Sequence, residues 1–538
     1  MARVVSVQEI CKHNFPEDLW IVVDGTVYDL TEFAPEHPGG AGGESPSPHL
    51  YPIFAILTFP VIIRYAGRDA STAYNEIHAP SLIQNSLHSS KIIGTLDPAS
   101  ITEEWAQPPP TVSTSFSPDS KPPLDTLINT HDFVSAARQT ITPKTWAFYS
   151  SAATDLNTKA RNNSAYIDIG LRPRILIDVK DVDTSTTMLG QKMSVPIFCA
   201  PAAMAKMVHP DGEKGIARGC KKLGIPQCVS TNASFPIAEI FEAVSEPGPY
   251  GNFEEDGNMA FFFQLYVDKQ REKSEKLLKD VEALGVKAIF VTVDAPVPGK
   301  READERVKAD ESLSTPMSGA KAKNDAKGGA LGRIMGSYID ASLSWADIPW
   351  LRKCTSLPIV LKGVQTTMDA KKAAEYGIEG IVLSNHGGRS LDTAPAPILL
   401  LLELQKNCPE IFDRMEVFVD GGVMRGTDIF KALCLGAKSV GIGRGFLFAL
   451  NYGQEGVEKF VESKCNLSLP RNDDQCVQKG NVDSRTVLKD ELETTMRMMG
   501  VTDLSQVHPG MLNTGAVDHL IPGWDEHPYA KWRPKSKI

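Results

Sequence analysis

The chain has 538 residues, more than one ordinary core organises, so it divides into two or more domains. A composition of 42% hydrophobic and 23% charged residues is that of a soluble globular protein, and a formal net charge of −10 excludes general nucleic-acid binding. No apolar run reaches membrane-spanning length; the nearest, HLYPIFAILTFPVII at 49–63, is broken by Pro52 and Pro60.

Residues 1–97 mix short strands and helices. WIVVDGTVYDL at 20–30 predicts a hairpin turning at Asp24 and Gly25. Residues 98–124, rich in Pro, Ser and Thr, read as a linker. From 125 to 514 the pattern changes. Eight short apolar runs, at 195–203, 226–233, 260–267, 288–295, 358–364, 380–388, 416–422 and 439–446, alternate with amphipathic stretches such as DAKKAAEYG and GTDIFKALCLGA. Eight βα units predict an α/β fold of the TIM-barrel type, (β/α)8, with a doubly wound sheet as the alternative. Nine scattered cysteines without a CxxC pair read as reduced intracellular thiols.

In a TIM barrel the active site lies at the C-terminal ends of the strands. Those ends carry, in order, Ala203, Ser230, Gln264 with Tyr266, Thr292 with Asp294, Lys362, His386 with Arg389, Asp420, and Gly443 with Arg444. Any one of them reads equally well as a strand-end cap; convergence of the whole set onto one rim does not. In SNHGGRSLD, at 384–392, His386 is a proton acceptor at neutral pH and Arg389 a two-pronged carboxylate ligand, joined by Arg301. Asp294 is placed to support a protonated His386. Lys362 supplies a cation beside a cofactor ring, or else pairs with Asp294 or Asp392. DGGVMRGTD at 420–428 and GIGRGF at 441–446 predict a phosphate cradle of backbone N–H groups at helix starts.

The strings FFQLYV, VTVDAP, GKREAD, LKGVQ, SNHGGRSLD, VDGG and GIGR fall in an order that resembles the FMN-dependent α-hydroxy-acid dehydrogenases and oxidases. DLWIVVDGTVYDLTEFAPEHPGG and YAGRDASTAYNEIH resemble cytochrome b5, and the joined arrangement resembles the flavocytochrome b2 family of L-lactate:cytochrome c oxidoreductases. The resemblance implies oxidation of a short L-2-hydroxy acid, with electrons passing from FMN to b-type haem and on to a cytochrome c-like acceptor. The alternative is an oxidase that reduces oxygen to hydrogen peroxide, with an inactive or regulatory haem domain. It assigns His386 as base, Asp294 as its partner, Tyr266 and Lys362 as further catalytic groups, and Arg301 and Arg389 as carboxylate ligands. FMN would be lined by Pro201, Ala202, Ala203, Ser230, Gln264, Thr292, Lys362 and Ser384, and its phosphate chain by Asp420, Gly421, Gly422, Val423, Met424, Arg425, Gly443 and Arg444. His37 and His78 would be the axial haem ligands, which leaves no open iron site. A homotetramer and no membrane association are further implied.

The departures from the family pattern are specific. Phe148, in AFYSSAATD, replaces a tyrosine that ligates the carboxylate, Met424 replaces an arginine, and Asn232 puts a polar group beside the substrate side chain. Segments 42–61 and 463–486 have no family counterpart and are expected to be translated introns; the first stretches the spacing of the haem histidines. Residues 299–329 are expected to form a mobile loop over the site. The tail, 515–538, ends Ser536-Lys537-Ile538, close to a peroxisomal signal, so cytoplasm or peroxisome is expected, and the mitochondrial intermembrane space only with a longer N-terminus.

Overall fold

Along each of eight short strands, side chains alternate between two faces. The strands are β1 (Ile197–Cys199), β2 (Gln227–Ser230), β3 (Phe261–Leu265), β4 (Ile289–Thr292), β5 (Ile359–Val364), β6 (Gly380–Leu383), β7 (Glu416–Asp420) and β8 (Ser439–Ile442). They pair in parallel in chain order, and β1 closes on β8 through Ile197↔Val440, Phe198↔Gly441 and Cys199↔Ile442. The closed barrel is the predicted TIM architecture and rules out the doubly wound sheet, which keeps open edges.

The structure, a computed structural model, describes residues 3–15, 17–34, 62, 65–71, 74, 83, 87–102, 105, 121–245, 259–324, 329–461, 487–521 and 523. His37, His78, the segments 42–61 and 463–486, most of the linker, and the Ser536-Lys537-Ile538 ending lie outside the described residues.

The alternation sorts the barrel interior into layers. Phe198, Cys228, Phe262, Phe290, Val360, Val382 and Phe418 form an apolar layer, with the Phe262 and Phe290 rings stacked at 5.3 Å. A hairpin, Thr186–Met188 and Gln191–Met193, closes the N-terminal end, burying Met188 and Met193 in the same cluster. Two residues further along each of six strands, hence on the same inward face, stand Ser230, Gln264, Thr292, Lys362, Ser384 and Asp420, all buried. The opposite faces pack against the surrounding helices in one large core.

Among the helices ahead of the barrel are α1 (Pro143–Ser150) and α2 (Asn157–Ile167). Between β4 and β5 the chain makes a long excursion. The stretch expected to be a mobile loop, 299–329, holds α3 (Glu302–Arg306) and a small hairpin pairing Ser314–Thr315 with Ala320–Lys321, and α4 (Leu331–Met335) follows it. It is anchored by buried residues, among them Asp304 and Thr315, which a Lys/Ala/Gly-rich composition does not announce. Helices α5 (Gly426–Cys434) and α6 (Arg444–Leu450) follow β7 and β8.

The chain divides into two units, Met1–Ser115 and Phe116–Ile538. In the first, the strands Asp18–Val23 and Thr26–Asp29 form the predicted hairpin, turning at Asp24 and Gly25 with φ of 49° and 75°. Leu19, Ile21 and Val23 face one cluster, while Trp20 and Val22 face another, so both sides of the sheet are buried. The stretch read as linker contributes Trp105 to the second cluster, where its indole N–H donates to the Gly67 carbonyl at 2.9 Å. The first unit therefore extends past residue 97, because a buried indole needs both an apolar surround and an acceptor.

Candidate active site

The polar layer is a belt of hydrogen bonds. Ser230 Oγ donates to Gln264 Oε1 at 3.1 Å, and Gln264 Nε2 donates to Thr292 Oγ1 at 3.0 Å. Lys362 Nζ donates to Ser384 Oγ at 3.1 Å and pairs with Asp420 at 3.1 Å. The expected partners of this lysine were Asp294 or Asp392; the ion pair is with Asp420, which β7 brings alongside. Burial opposes the Lys362 charge, but Asp420 and Asp294 outweigh it, and its pKa stands above the ordinary value.

SNHGGRSLD, 384–392, forms the loop that follows β6. Ser384 Oγ accepts from the His386 N–H at 3.0 Å. Asn385 and Asn162 of α2 exchange amide hydrogen bonds at 2.6 and 2.8 Å. His386, at φ 61°, is held in the left-handed region, with Nδ1 2.8 Å from Asp294 Oδ1 and Nε2 3.4 Å from the Tyr266 hydroxyl. At Gly388, with φ 79°, a Cβ would stand 2.8 Å from the Lys159 backbone nitrogen, so only glycine lets the loop lie on α2. Arg389 Nη1 donates to the carbonyls of Phe148, Tyr149 and Ser151 at 2.7, 3.3 and 3.2 Å, at the C-terminal end of α1 where a cation is favoured. Asp392 caps α2, accepting from the backbone N–H of Thr158 at 2.7 Å, of Asp155 at 3.2 Å and of Asn157 at 3.3 Å.

Charge is arranged around this loop. Burial pushes the Asp294 carboxyl up, yet the His386 and Lys362 charges and the His386 hydrogen bond win, so it sits below its ordinary value. Burial and the Asp294 charge push the Tyr266 phenol up to about 12, so it is a neutral donor at physiological pH. Burial and the mutual repulsion of Arg301, Arg389 and Arg444 lower the pKa of Arg389 well below the ordinary arginine value. Both Arg301 and Arg389 lie over the Phe148 ring, at 5.9 and 5.1 Å. Asn232 is buried, its amide oxygen 3.2 Å from the Tyr338 hydroxyl.

At the end of β7 the expectation needs correcting. The N–H groups of Met424 and Arg425 donate to Asp428 Oδ2 at 3.0 Å, and that of Gly426 to Glu491 Oε2 at 2.7 Å. These three donors at the start of α5 are thus held by carboxylates rather than standing open. Arg425 also turns its guanidinium to Glu491, at 2.8 Å. The end of β8 differs. Gly443 has nothing among the described residues within 4 Å of where a Cβ would stand, and Arg444 beside it donates to the Gly387 carbonyl. Asp294 Oδ2, Arg301 Nε and Asp420 Oδ1 are buried without a partner among the described residues. Orphaned polar atoms and crowded guanidiniums, lined up along an open rim, fit a polar cofactor with an anionic chain and a carboxylate substrate.

Sequence reasoning missed Tyr149, Asn162 and the Lys144–Asp304 pair. The Tyr149 hydroxyl lies 2.8 Å from the carbonyls of Ala203 and Met204 and ties α1 to the Pro201–Ala203 loop. These groups sit on helices and on the excursion, away from the strand ends that guided the reading; an unusual pair of asparagines mid-helix, Asn162-Asn163, was the one available signal.

Residues 137–464 match the FMN-dependent dehydrogenase family, and residues 6–44 match the cytochrome b5-like heme/steroid binding domain. The chain is 40% identical to an L-lactate dehydrogenase (cytochrome) of Saccharomyces cerevisiae, over 95% of this chain and 80% of that protein. It is 37% identical to a glycolate oxidase of Spinacia oleracea, over 74% of this chain and 97% of that protein. Among solved structures, a flavocytochrome b2 variant with pyruvate bound is 40% identical, with a TM-score of 0.62 over 79% of this chain and 97% of that chain.

Proposed function

Because the chain belongs to the FMN-dependent dehydrogenase family and carries a cytochrome b5-like segment ahead of it, we propose that it oxidises a short L-2-hydroxy acid, L-lactate foremost, to the 2-oxo acid, and passes the electrons to a cytochrome c-like acceptor. FMN, which the rim around Lys362, Ser384 and Arg444 would hold, would supply two-electron uptake, and b-type haem, which His37 and His78 would hold, would supply single-electron relay. His386 receives the substrate proton at Nε2, the nitrogen facing Tyr266. Asp294, on Nδ1, fixes the ring and supports its positive charge. Arg301 and Arg389 grip the carboxylate, and Lys362 offsets negative charge on the cofactor side. Phe148 supplies a ring face without a hydroxyl, so the grip lacks one hydrogen bond, worth about 1–3 kcal/mol when buried. Asn232 and Tyr338 make the substrate-side wall polar.

The observation that carries this reading is the His386–Asp294 pair at 2.8 Å, set on one rim with two arginines. The test is the absorption spectrum of the purified protein before and after anaerobic addition of L-lactate. Reduction of flavin and then haem is expected, with turnover lowered about 10²–10⁴-fold by His386→Gln. Flavin that stays oxidised rejects lactate, and unchanged turnover in His386→Gln rejects the mechanism. A second reading, an oxidase yielding hydrogen peroxide, draws on the likeness to glycolate oxidases and on a haem-domain match that ends at residue 44. Peroxide formation with no haem reduction would select it. The same family reading gives a homotetramer, checked by sedimentation; the Ser536-Lys537-Ile538 string, not the family, favours cytoplasm or peroxisome, checked by microscopy of a chain tagged away from that string.

A further inference from the structure

Lys144 is the second residue of α1, behind Pro143 and the cap Thr142. The first turn of a helix carries partial positive charge, which disfavours a cation, and Lys144 is also 8% exposed. Three acceptors hold it there. Its ammonium donates to Asp304 Oδ1 at 2.6 Å, to the Asp304 carbonyl at 2.6 Å and to the Gly329 carbonyl at 2.5 Å, which uses all three of its protons. Asp304, 1% exposed, accepts with its other oxygen from the Gly332 N–H at 2.9 Å. Residue 304 lies in α3, and residues 329 and 332 lie just before and within α4, on the far side of the small hairpin. One ammonium therefore clamps the two sides of this part of the excursion together and fastens them to α1.

Arg301 sits inside this knot. It caps α3, and its carbonyl accepts from the Glu305 N–H at 3.0 Å. Its guanidinium lies against Gly332, where a Cβ would stand 2.5 Å from Cζ, and over Phe148, one helical turn from Lys144 on α1. We propose that Lys144 and Asp304 are positioning residues for the reaction: their ion pair fixes the excursion in its closed place and thereby aims Arg301 at the substrate carboxylate. Without the ammonium, Asp304 faces Arg301 as a neighbouring cation and draws the guanidinium away from substrate. The inference rests on the reading of Arg301 as a carboxylate ligand.

The test uses the full chain with both cofactors and four variants: Lys144→Met, Asp304→Asn, the two combined, and Arg301→Lys. Lys144→Met and Asp304→Asn are each expected to raise KM for L-lactate about tenfold, with a much smaller change in kcat. The double variant is expected to be no worse than either single, since both remove one interaction. Trypsin cleavage at Lys308, Lys321 and Lys323, followed by mass spectrometry, is expected to quicken in all three. An unchanged KM in Lys144→Met, or additive effects in the double variant, overturns the proposal. If Lys144→Met does not fold, the double variant decides alone, because it leaves no buried charge unpaired: a raised KM supports the proposal and an unchanged one overturns it. If Arg301→Lys also leaves KM unchanged, the carboxylate reading is what fails, and the cleavage rates still report whether the pair holds the excursion.

Discussion

Arg444 shows how much the rim is built for an anion. Burial and the Arg301 charge lower its pKa to about 10, with Asp420 only partly compensating. A phosphate bound beside Arg444 stabilises the charged form and raises that pKa. The guanidinium stays charged across the working pH range and offers a phosphate a fixed cation. Arg444→Met is expected to weaken FMN binding to the apoprotein about tenfold or more at neutral pH, read by flavin fluorescence. Unchanged affinity would separate Arg444 from the phosphate. Residues of this kind are legible in sequence because an apolar strand stops where its polar end begins, as at Lys362, His386 and Asp420. Their partners are less so. Pairing of Lys362 with Asp420 depends on β5 and β7 both facing inward at one height, and occupation of the Gly426 donor depends on Glu491, 65 residues on.

Among elements, α2 is the support on which the His386 loop rests. Its own N-cap, Leu156, is a left-handed residue without a side-chain acceptor, and Asp392 from the rim loop takes over that task. Burial raises the Asp392 carboxyl, but hydrogen bonds from Thr158, Thr393 and Asn157 outweigh it and leave its pKa far below the ordinary value. Asp392→Ala is expected to cost about 1–2 kcal/mol of stability, as loss of an N-cap does. A carboxyl whose folded pKa is depressed stabilises above its unfolded pKa and loses that contribution as pH falls toward the folded value. The difference between parent and Asp392→Ala in denaturant melts is therefore expected to shrink below about pH 4. A gap that stays constant into acid would mean that the lost contact is not the charged cap. The eight strands were legible because both their faces are buried, which leaves unbroken apolar runs. The Thr186–Met193 hairpin that plugs the barrel was not, since three-residue strands around a tight turn carry too little pattern to separate from a loop.

Over the whole molecule, the hydrophobic clusters divide with the chain. Leu19, Tyr28 and Trp105 belong to clusters drawn only from the first unit, and the barrel clusters draw only on the second. Units with separate cores unfold as separate transitions unless a large apolar interface couples them. Trp105 offers a direct test because it lies in the sequence where a linker was expected yet packs among Val5, Val7, Ile10, Trp20, Val22 and Val27. Trp105→Ala removes a buried indole together with its hydrogen bond to Gly67, and is expected to cost the first unit about 3 kcal/mol. In a thermal melt of the full chain, the midpoint read from haem absorbance should fall, while the midpoint read from flavin release should stay in place. A parallel fall of both would show the two cores melting as one. A fall of neither would return residue 105 to the linker and set the first unit's edge at residue 97.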